Sequence, residues 1–144
     1  MDTPSRLAFD AVEFGDEIGP VDWVPTTDIV RRYAVAAGVT DRRFIDPERA
    51  RQVGFAKPIV PGPLSASFLA KVLRNHFVGW RIRMLSTSFR TPVAHGDTLS
   101  CWGMVTEKKL EDGVGSVDCD VVIENQNGDR VIVGTAILSC RVQT

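Results

Sequence analysis

Asp41 and His95 are two side chains of this 144-residue chain able to carry a proton. A positioned acid or base contributes roughly 10²–10⁴-fold to a reaction. Asp41 stands in a loop beside Arg42 and Arg43, where a solvated carboxylate is the competing expectation. His95 precedes Gly96-Asp97, and there the competing expectation is an ordinary turn histidine. Ser65 and Ser67 open an apolar helical pattern and can bond either a ligand or the backbone; no His and Asp pattern accompanies them to make a nucleophile. His76 falls near the end of that pattern, where a cation meets the negative end of a helix. The helix is entered through Pro61-Gly62-Pro63. A helix start leaves N–H groups unpaired and carries about half a positive charge, so it suits an oxygen that gathers negative charge. Gly62 allows close approach and its N–H is the expected donor, with Pro61 and Pro63 stiffening the turn and Pro63 offering no N–H. A plain loop-to-helix transition with Pro63 at the first helical position is the alternative.

The elements that must position these groups are legible in outline. Thr26 or Thr27 caps a helix to about Ala37, with Val30, Tyr33, Ala34 and Ala37 on one face and Gly38 as the stop. Asp46 as N-cap and Pro47 at the first position start a short helix through Val53, ended by Gly54. Leu64, Phe68, Leu69, Val72 and Leu73 mark a central, buried helix from Leu64 to about Phe77. The first half thus reads as loops and helices, and the second half as strands. Arg81 to Arg90 is one; Thr98 to Glu107 alternates with Leu99, Cys101, Gly103 and Val105 on one side; Val117 to Ile123 is a third. Asn127-Gly128 signals a hairpin into a strand from Arg130 to Val142. One buried helix followed by an antiparallel meander implies an α+β fold in which a sheet wraps the helix. One domain over residues 1–144 is the simplest organisation.

Composition narrows the function classes. A chain that is 44% hydrophobic and 24% charged is ordinary for a globular protein. With a net charge of −1 and no Lys/Arg run beyond two residues, no nucleic-acid or membrane-surface partner is indicated. Met1-Asp2-Thr3-Pro4 shows no signal-peptide pattern, and no apolar run approaches the ~20 residues of a membrane span, so a cytoplasmic location is expected. Cys101, Cys119 and Cys140 are widely spaced in apolar strands without a Cys-x-x-Cys pair; reduced core thiols are expected, not a metal site or disulfides. Gly113-Val114-Gly115 lacks the third glycine and the following helix of a dinucleotide loop, so no nicotinamide or flavin cofactor is expected.

Two longer motifs carry a resemblance. Asp46-Pro47-Glu48-Arg49-Ala50 with Gly54-Phe55-Ala56-Lys57-Pro58-Ile59-Val60-Pro61-Gly62 resembles the MaoC-like family of (R)-specific enoyl-thioester hydratases and dehydratases. That family reads roughly Asp-x-Asn-Pro-x-His-x-Asp-Pro-x-x-Ala, then Gly-Phe-x-x-Pro-Ile-Val-His-Gly. Phe89-Arg90-Thr91-Pro92-Val93-Ala94-His95-Gly96-Asp97 is similar to its later Phe-x-x-Pro-Val-x-x-Gly-Asp, and the likeness spans about residues 10 to 142. It implies a hot-dog fold, a homodimer or a heterodimer with a second hot-dog subunit, and an acyl chain carried on coenzyme A or acyl carrier protein, with the thioester meeting the start of the central helix. Pro61, Gly62, Pro63 and Phe44 are then the expected substrate-binding residues, and Arg42-Arg43 and Arg81/Arg83 candidate contacts for coenzyme A phosphates or a carrier protein.

The chain departs from the family where the chemistry lies. The family's His falls at Phe44 and its Asp at Val39; its Asn is Asp41, and the His of its His-Gly is Pro61. Two apolar residues at the acid and base positions leave a pocket able to bind and unable to transfer protons by the family's route. Two functions follow from the resemblance. One is an acyl-thioester-binding subunit without the dyad, paired with a second hot-dog subunit. The other is an enzyme with chemistry relocated to Asp41 or His95, or one that acts by orienting its substrate. A hot-dog thioesterase fits less well, because Leu64 to Phe77 contains no Asp or Glu. Phe44, Trp80 and Trp102 are the bulky residues expected to narrow the pocket.

Overall fold

The most apolar helix of the sequence packs its apolar face into the core of the structure, a computed structural model describing residues 5–142. Met1–Pro4 lie outside the described residues, so the absence of a leader pattern there has no structural counterpart. In chain order the elements are β1 (Glu17–Trp23), α1 (Thr27–Ala37), α2 (Pro47–Gln52), α3 (Gly62–His76), β2 (Arg81–Phe89), β3 (Leu99–Glu111), β4 (Val114–Glu124) and β5 (Arg130–Arg141). Leu64, Phe68, Leu69, Val72 and Leu73 recur every three or four residues along α3, and all five are buried. The five strands form one antiparallel sheet in the order β1-β3-β4-β5-β2, and its inner face closes over α3. This is the α+β arrangement expected from the sequence.

Period-two alternation explains which strand residues meet the helix. Leu99, Cys101, Val105, Val117, Cys119, Ile123, Ala136 and Leu138 are almost fully buried and belong to the same core as Leu69 and Leu73. All three cysteines are free, and burial pushes the Cys101 and Cys119 thiols up to about 12, so neither is a thiolate near neutrality. Val122 breaks the alternation. It faces outward yet is buried, because Trp102 and Val133 stand opposite it on the neighbouring strands.

Three boundaries differ from the sequence-based expectation. β1 places a strand in a half expected to hold only loops and helices; its alternation is hidden because the register shifts between Ile18 and Val21, around Gly19-Pro20. Pairing with Leu99–Met104 of β3 makes it a strand. Next, β3 runs past Glu107 to Glu111 and β4 begins at Val114. Asp112 (φ 52°) and Gly113 (φ 76°) join them in a two-residue turn of the type Asp-Gly favours, and the polar tip Lys108–Glu111 carries no apolar pattern to announce it. Finally, the Asn127-Gly128 hairpin is a wider loop, tied by the Asn125 side chain accepting from the Asn127 and Asp129 N–H groups at 2.9 and 3.0 Å. On α1, Val30 and Ala34 are buried as expected while Ala37 is exposed.

Leu69 is fully buried at the middle of α3. Leu69→Ala is expected to lower the unfolding free energy by about 2–5 kcal/mol, through lost burial plus the cavity left behind. A urea titration reads this directly, and a loss under about 1 kcal/mol would contradict an enclosed helix.

Candidate functional site

The start of α3 is held in place by a clasp between two loops. The Val60 N–H donates to the Val93 carbonyl at 2.8 Å, the His95 N–H donates to the Pro58 carbonyl at 3.1 Å, and Ile59 and Ala94 form a bridge between them. Pro61 then serves as the N-cap residue, with Gly62 and Pro63 in the first turn. The Pro61 carbonyl accepts from the Leu64 N–H at 3.0 Å. The Gly62 N–H has no acceptor among the described residues, and Pro63 has no N–H, so Gly62 is the free donor of this helix start.

Gly62 lines a cavity of about 280 Å³ together with Phe44, Ile59, Val60, Ser65, the Phe89–Val93 stretch, Val131 and Ile132. A Cβ at Gly62 would lie 2.9 Å from Cε1 of the Phe89 ring, so a side chain there would require that ring to shift. The close neighbour of Gly62 is therefore an aromatic wall. Of the residues expected to bind a ligand, Phe44 and Gly62 line the cavity; Pro61 and Pro63 flank Gly62 without lining it. Phe89, Arg90 and Thr91 also line it, which the Phe-x-x-Pro-Val motif marked only as a likeness.

The groups able to exchange protons lie elsewhere. Arg90 is the one ionisable side chain among the lining residues, and a guanidinium keeps its proton. Asp41 caps the 3₁₀ turn Arg42–Phe44, its carboxylate accepting from the Arg43 N–H at 3.0 Å and from Arg43 Nε at 2.8 Å. Those contacts, the backbone N–H first, hold its carboxyl below the ordinary value and make it a weak base. Val39 lines a different, open hollow with Arg31, Val35 and Arg42, so Val39 and Phe44 do not share a cavity. Asp46 caps α2 by accepting from the Glu48 N–H at 3.0 Å and pairs with Arg42 at 2.9 Å, the capping role expected of it.

His95 is buried, 7% exposed, rather than displayed on a turn. Its Nδ1 and the Thr27 hydroxyl share a hydrogen bond at 3.1 Å, tying the clasp to the start of α1, while Nε2 has no well-formed partner among the described residues. Burial lowers its pKa; the nearby carbonyls of Phe44 and Ile59 work against that shift, and Arg31 adds to it. The ring stands behind the cavity wall, next to Phe44 and Ile59, and is not a lining residue.

The two tryptophans do not narrow this cavity. Trp80 packs against Phe77 and Phe9 and donates Nε1–H to the Leu7 carbonyl at 2.8 Å, while Trp102 stands on the outer sheet face. A larger hollow of about 680 Å³ runs between β1 and α3, with Trp23, Phe68 and Val72 in its walls and Ser67, Lys71, Asn75 and His76 also lining it. It is bounded by β1, a strand that no alternation in the sequence marks. His76 closes the last turn of α3, edge-on to Phe77 at 4.8 Å. Among the described residues no three His, Cys, Asp or Glu side chains gather as a metal site, and no helix is long and apolar enough to cross a membrane.

Comparison with known proteins bears on this geometry. The family model described as "MaoC like domain" matches residues 11–127. The mitochondrial 3-hydroxyacyl-[acyl-carrier-protein] dehydratase of Arabidopsis thaliana is 31% identical over 74 residues, 51% of this chain and 45% of that protein, so less than half of that relative is spanned. An unliganded R-hydratase from Pseudomonas aeruginosa has a similar fold, with a TM-score of 0.86 and 21% identity over 96% of this chain and 88% of its own. A C-terminally truncated 3R-hydroxyacyl-ACP dehydratase complex, HadBC, from Mycobacterium tuberculosis matches with a TM-score of 0.71 and 20% identity, over 88% and 96% of the two chains.

Burial of His95 sets a pH dependence. Its folded pKa lies below the ordinary 6.5, so on acidification the unfolded chain takes up this proton first. Its contribution to stability is complete above pH 6.5 and is lost as the pH falls below that value toward the folded pKa. Within that window the slope reaches at most about 1.4 kcal/mol per pH unit for one proton. His76, lowered by the same cause, acts in the same direction. Chemical denaturation from pH 8 to 5 is expected to show the loss, with a shallower slope in His95→Gln; an unchanged slope in that variant would refute the assignment to His95.

Proposed function

Because the chain belongs to the MaoC-like domain family, we propose that it binds an acyl thioester at the start of α3 and works as a subunit without the family's acid and base. The observation that carries this reading is the lining of the cavity. It offers a free backbone donor at Gly62, apolar walls from Phe44, Ile59 and Phe89, and no side chain that exchanges protons near neutrality. A donor at a helix N-terminus favours an oxygen that draws electron density, as a thioester carbonyl does. Apolar walls suit the acyl chain beside it. Without a group to remove the α-proton or activate water, the bound thioester is held and not hydrated. Coenzyme A or an acyl carrier protein supplies the thiol, and no further cofactor enters the proposal.

The partner in this reading is a second hot-dog subunit that brings the missing acid and base. β2 is an edge strand of the sheet, with Met84 41% and Phe89 56% exposed. An unpaired edge carrying exposed apolar residues is a surface for strand pairing. Phe89 also walls the cavity, so a subunit docked along β2 would border the bound acyl group. The HadBC protein is described as a complex, which supports pairing of unlike subunits here.

Titration of the purified chain with butyryl- and crotonyl-coenzyme A, alongside a hydration assay with the crotonyl thioester, tests the proposal. Saturable binding without turnover is expected, with hydration appearing when a dyad-bearing hot-dog subunit is added. Turnover by the chain alone would overturn the dyad-less role, and absence of binding would overturn the thioester site itself.

A further inference from the structure

Two buried side-chain atoms have no hydrogen-bond partner among the described residues, Ser65 Oγ and His95 Nε2. They differ in where they stand. His95 is bonded through its other ring nitrogen and lies outside the cavity at the start of α3. Ser65 is a lining residue of that cavity, is 2% exposed, and has a hydroxyl with no bond at all.

A buried hydroxyl without a partner is unfavourable, and an apolar residue of the same size would remove the penalty. Ser67, two residues further on, does what a helical serine ordinarily does, donating to the Leu64 carbonyl at 2.7 Å. The corresponding acceptor for Ser65, three residues back, is the Gly62 carbonyl, to which its hydroxyl makes no bond; the Pro61 carbonyl, four back, already takes the Leu64 N–H at 3.0 Å and the Ser65 N–H at 3.4 Å. Packing gives no reason for a polar atom at this point, because Phe44, Val60, Val131 and Ile132 line the same cavity.

We infer that the Ser65 hydroxyl is a second donor to the ligand's carbonyl oxygen, acting together with the Gly62 N–H. Residues three apart share a helix face, so both donors belong to the same side of the first turn. A carbonyl oxygen has two lone pairs and can accept from both. Pro63 removes one backbone donor from this turn, and the Ser65 hydroxyl stands in for it. This assignment rests on the acyl-thioester reading above and specifies which atoms recognise the thioester group.

The test compares two ligands that differ by one oxygen: butyryl-coenzyme A, and S-butyl-coenzyme A, which lacks the carbonyl. Calorimetric titration of the full chain is expected to show a preference for the butyryl thioester. Ser65→Ala should lose about tenfold in affinity for it, the effect of one well-made hydrogen bond, with no change for the thioether. Its Tm should equal or exceed that of the unaltered chain, since a buried unpaired hydroxyl is gone and alanine is the better helix former. Ser65→Cys, nearly the same size with a weak donor, should fall between the two. Equal thioester affinity in the alanine variant would overturn the inference and leave the binding site intact. An equal loss for both ligands, or a lowered Tm, would overturn it by giving Ser65 a structural role. If the unaltered chain binds neither ligand, the thioester reading fails and this inference fails with it.

Discussion

The clasp between Pro58–Val60 and Val93–His95 is the constraint on which the candidate site depends. Two backbone hydrogen bonds, which together make the Ile59–Ala94 bridge, bring a proline-rich entry segment against the loop that follows β2. The entry segment then has little freedom, because Pro58, Pro61 and Pro63 restrict their own φ angles and the residues before them. The result is a helix whose first residue, Gly62, keeps an unpaired N–H with the Phe89 ring close against its Cα. His95 secures the same clasp from behind, since its bond to Thr27 links it to the first turn of α1. A polar residue that the sequence offered as a possible acid thus also has a task in holding the fold.

Electrostatics divide the region into a dry side and a charged side. The cavity at the start of α3 is walled mostly by apolar side chains, while Asp41, Arg42, Arg43 and Asp46 satisfy one another on the outside in short-range ion pairs. Such exposed pairs add little stability. Their local effect is to shape the 3₁₀ turn Arg42–Phe44, whose last residue sends its ring into the cavity wall. Phe44 reaches the site because Asp41 caps that turn, which ties a surface carboxylate to the geometry of an apolar wall.

The sheet is asymmetric about α3. On the β1 side the register shift near Gly19-Pro20 accompanies a broad hollow along the helix, bordered by Lys71 and Asn75. On the β2 side the edge strand meets the start of the helix through Phe89, and the cavity there is less than half as large. Outward-facing Trp102, Val122 and Val133 form an apolar row across the back of the sheet, and Val122 is buried by its neighbours alone. Inner and outer faces therefore have different tasks, the inner one enclosing α3 and the outer one packing on itself.

Local chemistry made much of this legible in the sequence. The caps Thr26 and Asp46, the apolar stripe of α3 and the alternation of β3 are decided by neighbours within a few residues, and each has the structural role its residue types imply. The motifs around Pro61-Gly62 and Phe89–Asp97 were sufficient to indicate the family, and Gly62 and Phe44 to mark the cavity. What only the tertiary structure decided depends on distant partners. β1 is a strand because β3 lies beside it, and the 680 Å³ hollow exists because β1 does. His95 is buried because the clasp draws it under Phe44 and Ile59. Ser65 and Ser67 are indistinguishable as letters two places apart; only packing shows that Ser67 is satisfied by the Leu64 carbonyl while the Ser65 hydroxyl is enclosed and unpaired. Whether a polar atom finds a partner depends on everything folded around it, and no spacing along the chain records that.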